Sequence, residues 1–223
     1  MNNNQIIQNL INDERIPSYI NKSALLSEEL RPFPNLPITQ SFYMQGGNGV
    51  GKTYFATLFL RDWLINQFPE GFQNYQYKDL PDFVKMDKLE QYIREKNGFD
   101  EDRRYGAKLI LNEIKESKLF ILDDFWVSQG TPNFKQLMLS ELFDILDYRV
   151  TNKLQTVITT NLDLSKIDLI DNNYGRIVSR IRSFPELELP NKKDLRFAGK
   201  IETEAVAKTI PDKLTFDFWL LPS

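Results

Sequence analysis

From Ser41 onward, short apolar runs alternate with stretches in which apolar residues return at helical spacing. Ser41-Phe-Tyr-Met-Gln reads as a strand, a glycine cluster follows, and Thr53 to Gln67 carries apolar residues on a helical period. The same reasoning predicts a strand over Phe83–Met86 and helices over Lys88–Glu95 and Glu101–Glu116. Leu119–Leu122 is an apolar run ending in two aspartates, which suits a strand buried on both faces. A helix over Phe134–Tyr148, a strand over Thr156–Thr160 and a helix over Gly175–Arg182 complete the series. Strands that alternate with helices predict an α/β fold with a central parallel sheet and helices on both faces. No internal repeat is present.

The ends of the chain follow a different pattern. Residues 1–40 hold one short helical pattern (Ile6, Ile7, Leu10, Ile11) and a proline-punctuated run from Arg31 to Pro37. They read as a leader with its own docking role, ahead of a core over 41–198. The tail, 199–223, carries Phe216, Phe218, Trp219 and Leu220 and is expected to pack on the core or on a partner, with no clear C-terminal lid domain.

Composition narrows the chemistry. The 223 residues suffice for one sizeable core, and 41% hydrophobic with 26% charged residues is a globular balance. No apolar run reaches the roughly 18 residues of a membrane helix, and the Asn-rich start lacks the features of a signal peptide, so a cytoplasmic location is expected. Cys and His are both absent, which excludes thiolate nucleophiles, imidazole bases and zinc sites built on either. Acid–base work falls to carboxylates. With a net charge of −3 the chain is no polycation, so any nucleic-acid contact must be local, for example around Lys78 and Lys85.

Gly46-Gly47-Asn48-Gly49-Val50-Gly51-Lys52-Thr53 fits G-x-x-x-x-G-K-[ST] at every fixed position, between a predicted strand and helix. Glycines let such a loop turn its N–H groups inward on a phosphate, aided by the positive end of the next helix. Lys52 is then expected on the β- and γ-phosphates of ATP, the Thr53 hydroxyl on magnesium, and Tyr54 beside the loop. Lys118 to Asp124 looks like the companion strand that delivers carboxylates at its end: Asp123 is expected on the metal, and Asp124 stands where similar P-loop ATPases carry the glutamate that deprotonates the attacking water, the alternative being that both acids only cap the strand or solvate a loop. Asn161, ending the Thr156–Thr160 strand, is either a turn residue or a hydrogen-bond donor to the γ-phosphate or that water. Arg176 and Arg180, four apart, share one helical face. They are either solvated surface or a source of positive charge for a neighbouring subunit's nucleotide, Arg180 being the first choice.

In this order the pieces resemble the AAA+ ATPases of the DnaC and DnaI helicase-loader group and their relatives, the IstB transposition helpers. The resemblance spans about 16–196 and includes Ile16-Pro17, Asp123-Asp124-Phe125 where the group commonly has Asp-Asp-Leu, Leu142 to Arg149, Thr159-Thr160-Asn161-Leu162, Gly175 to Ile181 and Asp194-Leu195-Arg196. It implies a P-loop ATPase that self-associates with ATP bound, grips single-stranded DNA and delivers a replicative helicase. A transposition helper, a nucleotide-dependent adaptor with negligible turnover and a small-molecule kinase are the alternatives.

Overall fold

The computed structural model describes residues 15–17, 20, 39–68, 76–126, 131–166 and 174–188. The patterns at Ile6–Ile11 and Arg31–Pro37, the Asp194 segment and the tail lie outside them.

Among the described residues ten strands and α-helices form in chain order. They are β1 (Phe42–Gln45), α1 (Lys52–Gln67), β2 (Pro81–Lys85), α2 (Met86–Lys96), α3 (Glu101–Glu116), β3 (Leu119–Phe125), α4 (Pro132–Thr151), β4 (Gln155–Thr160), α5 (Gly175–Arg182) and β5 (Glu186–Glu188). The helix limits follow from local chemistry. Asp100 caps α3 by accepting from the Arg103 N–H at 3.1 Å, and Thr131 caps α4 with Pro132 in the first turn, where its missing N–H costs nothing. The predicted start of α4 at Phe134 misses that cap and proline. β5 is too short to show a period, and it was not anticipated.

The five strands are parallel in the order β2-β3-β4-β1-β5. After β1 the chain crosses by α1 to the far edge, so two strands lie between its first two, and the carboxyl ends of β1, β4 and β3 become neighbours. A crevice at such a switch point is where open α/β sheets bind ligands. Alternation along the strands divides the core. Tyr43, Phe120, Leu122 and Ile158 face α2 to α5, and Phe42, Met44, Leu119, Ile121 and Val157 face α1.

Two features of the amino-terminal side of the sheet carry the architecture. Arg149, fully buried at the end of α4, makes six hydrogen bonds: to the Thr156 hydroxyl, the Ile114, Lys115, Ser117 and Gln155 carbonyls and the Ser117 hydroxyl. It ties α3 to the starts of β3 and β4. At the sheet edge, the Phe83 N–H of β2 donates to the Arg15 carbonyl at 2.8 Å. The buried Arg15 guanidinium lies 3.3 Å from Asp82 and 3.6 Å from Glu113. Ile16 and Ile20 join the α1-side core. Burial pushes the Asp82 carboxyl up to about 6, against the pull of Arg15.

Candidate functional site

The loop between β1 and α1 is shaped by its glycines. Gly49 and Gly51 have φ of 77° and 90°, in the left-handed region that side chains resist. Gly51 is the N-cap of α1 and offers no side-chain acceptor, so the first N–H groups of that helix are left to a ligand. Gly46 is fastened at the loop's start by donating to the Thr160 carbonyl of β4 at 3.2 Å. Val50 is buried in the α1-side core, while Asn48 is exposed at the tip.

Lys52 is buried and its ammonium is held in place from three directions. It donates to the Gly46 and Gly47 carbonyls at 2.9 and 2.8 Å and to Asn161 Oδ1. Burial lowers its pKa, while Asp124 and Asp123 oppose that shift. Each of these three contacts comes from the glycine loop or a single side chain, and an incoming phosphate offers the ammonium a stronger, charged acceptor.

Asp123 accepts from the Thr53 hydroxyl at 3.0 Å and from the Thr159 hydroxyl at 2.7 Å. Thr159 in turn accepts from the Asp124 N–H at 2.8 Å. The β3–β4 register slips between Leu122 and Phe125, and Asp124 sits at φ 59° within that irregularity. The slip turns two successive carboxylates out at the sheet end, where a regular strand would send them to opposite faces. Asp124 Oδ1 accepts from Asn161 Nδ2 at 3.1 Å, and its other oxygen lies 3.6 Å from the Lys85 ammonium. Lys85 also lies 3.5 Å from Asp87, whose second oxygen accepts from the Trp126 indole at 3.1 Å.

The residues expected from sequence at the phosphate site therefore converge. Lys52, Thr53, Asp123, Asp124 and Asn161 form one connected hydrogen-bonded set. Thr53 and Asp123 present hard oxygens side by side, a donor pair that suits magnesium completed by phosphate and water. Among the described residues no group of three or more acidic side chains is gathered closely enough to hold a metal ion by itself. Tyr54 is half-buried, its ring edge-on to Phe55 at 6.4 Å.

Arg176 and Arg180 share a face as their spacing predicts, but that face is turned to α4. Arg176 stacks on Phe143 at 3.8 Å, and Arg180 donates to Asp147 through Nε and Nη2 at 2.7 and 2.6 Å. Neither contacts the phosphate loop of its own chain among the described residues.

Sequence reasoning missed Thr159 and the position of Lys85. Lys85 is paired in register with Asp123, so a cation closing the strand beside the acidic one was the available signal. Thr159 was hidden because its role depends on the register slip.

The sequence matches no protein-family model and no curated protein. Solved structures do match in fold. AMPPCP-bound DnaA from Aquifex aeolicus aligns with a TM-score of 0.53 at 17% identity, over 79% of this chain and 47% of that one. DnaA bound to AMPPCP and single-stranded DNA gives 0.53 at 17%, over 84% and 51%. The chain has the AAA+ fold. It spans about half the length of these two DnaA chains. Structures similar to this AAA+ fold also include the DnaC helicase loader, with a TM-score of 0.46 at 22% identity, over 77% of this chain and 91% of that one. No helix among the described residues is long and apolar enough to cross a membrane.

Proposed function

We propose that this AAA+ protein binds and hydrolyses ATP, and uses the cycle to load or remodel a replicative helicase on single-stranded DNA. The observation that carries the reading is the convergence of Lys52, Asp123, Asp124 and Asn161 at the carboxyl ends of three adjacent strands. A glycine loop with a buried lysine held by two loop carbonyls and an asparagine is built for polyanion. The paired acids beside it are what turnover of that polyanion requires.

In this reading the loop N–H groups and Lys52 hold the β- and γ-phosphates, and Thr53 and Asp123 hold magnesium. The metal, when bound, offsets the charge of both phosphates. Asp124 takes the proton of the attacking water, and Asn161, already bonded to both Lys52 and Asp124, fixes that water against the γ-phosphate. Arg180 serves a neighbouring subunit's nucleotide, which makes turnover depend on assembly. The helicase and DNA parts rest on the resemblance of the motifs to the loader group.

Steady-state hydrolysis against protein concentration, with and without single-stranded DNA, tests this reading with Lys52→Ala as the inactive control. Turnover per subunit is expected to rise with concentration or DNA. Asp124→Asn is expected to cut turnover by about 10²–10⁴-fold with ATP affinity kept. One observation favours the adaptor reading: both Asp124 oxygens are already engaged, by Asn161 and Lys85. Tight ATP binding with flat, negligible turnover under every condition would select it.

A further inference from the structure

α3 packs on the body through Ala107, Leu111 and Ile114. Its opposite face carries Asp102, Tyr105, Leu109, Asn112 and Glu116, all exposed, at steps of three and four residues. That spacing is the seam of a two-helix coiled coil, two apolar knobs in the middle with polar residues beyond them. Tyr105 is 67% and Leu109 44% exposed, and Phe99, fully exposed, stands just before the helix. These are three of the four exposed large hydrophobic residues among those described.

Gly106 sits beside this seam in the middle of the helix, where glycine costs about 1 kcal/mol relative to alanine. A Cβ added there would meet nothing within 4 Å, so no neighbour within the fold calls for the missing side chain. A close approach by another backbone would call for it.

We propose that this face of α3 is a docking surface for an amphipathic helix of another protein, with an apolar centre bracketed by lysine or arginine. Charge selects the occupant. Asp102 and Glu116 lie one heptad either side of Leu109, and among the described residues neither has an ion-pair partner. Nearby Asp100 and Glu101, by contrast, pair with Arg103 and Arg104. A second copy of this helix would set acid against acid in either orientation, so the seam is not self-complementary. The same two carboxylates repel a nucleic-acid backbone, despite the aromatic rings beside them. A basic helix is attracted at both ends and buries Tyr105 and Leu109 at its centre. The inference rests on α3 alone and stands whether or not the chain hydrolyses ATP.

The test uses the full chain and two synthetic stapled helices of about three heptads, each with leucines at the central seam positions. One carries lysine a heptad before and after the centre, and the other carries glutamate there. Fluorescence anisotropy is expected to give at least about tenfold tighter binding of the basic helix, weakening with salt. Asp102→Lys with Glu116→Lys is expected to reverse the preference. Tyr105→Ser with Leu109→Ser, and separately Gly106→Gln, are expected to remove binding while the melting temperature stays near the parent's, since all three positions face solvent or open space.

Equal or absent binding of the two helices, or a preference unmoved by the charge swap, overturns the proposal. So does loss of oligo(dT) binding in the Tyr105/Leu109 variant with helix binding intact, which would make the face a nucleic-acid surface. Concentration-dependent dimers that this variant abolishes would assign the face to a second copy.

Discussion

Lys52 and Arg149 are both buried cations, at opposite ends of the same sheet, and their surroundings differ in kind. Arg149 spends its guanidinium on six acceptors drawn from α3, β4 and the turn before β3. Lys52 has two loop carbonyls and one exposed asparagine. Burial lowers the pKa of both, but only Lys52 holds partners that a ligand can replace with something better. A buried charge whose donors are all committed to groups of the packed body is architecture, and one held by replaceable partners is a binding group.

The largest effect expected from this contrast is on stability. Arg149→Met should cost about 3–5 kcal/mol, because the Ile114, Ser117 and Gln155 carbonyls stay buried and lose their donor. Urea unfolding measures it directly. Arg149→Lys should recover little, since a single ammonium cannot span a fork of acceptors. Saturating nucleotide should rescue neither variant beyond its ordinary mass-action gain.

Asp82 makes the amino-terminal side pH-sensitive in an unusual direction. Its folded pKa, raised from 3.8 to about 6, means the folded chain holds a proton that the unfolded chain has released. That contribution to stability is complete below about pH 4, declines as pH rises to about 6, and is flat above, on the order of 2–3 kcal/mol at most. Asp82→Asn should lack the decline, so the stability difference between variant and parent should shift in the variant's favour from pH 4 to pH 7. A difference constant with pH would show that Arg15 keeps Asp82 ionised throughout.

At the other end, Lys52→Ala should weaken ATP binding by about ten- to a hundredfold, the worth of a charge-assisted hydrogen bond. Its melting temperature should equal or slightly exceed the parent's, because a desolvated charge is removed. Isothermal titration and a melt in parallel suffice. A large loss of stability would erase the distinction between the two cations.

Four of the five strands and the glycine loop were legible because each rests on local pattern: strand period and glycine spacing, as the helices rest on their own period. Glu101–Glu116 and Gly175–Arg182 coincide with their predicted limits for that reason. Arg15, Ile16 and Ile20 fall in the stretch read as a leader with its own docking role; the pairing of Arg15 with Phe83 and Asp82, and the packing of both isoleucines, are long-range facts that no local pattern shows. Asp82 inside an apolar strand was the one hint, since a buried carboxylate needs a partner from elsewhere. Arg149 lies in a stretch that resembles the loader group, yet no spacing rule distinguishes an arginine that binds six buried acceptors from one on a surface.

Lys85 provides the finest test, because it belongs to neither class. It is 39% exposed, as is Asp124, so the ion pair between them is screened and worth about 0–1 kcal/mol. If it merely restrains the carboxylate, Lys85→Met should raise basal turnover by about two- to fivefold, the factor that such an energy allows. ATP affinity should not change, since Lys85 makes no contact with the phosphate loop among the described residues. A fall in turnover would instead make Lys85 part of the reaction, holding Asp124 where the water must be met. Either result sharpens the contrast: the carboxyl end of this sheet is polar in order to exchange partners, and its amino end is polar in order to keep them.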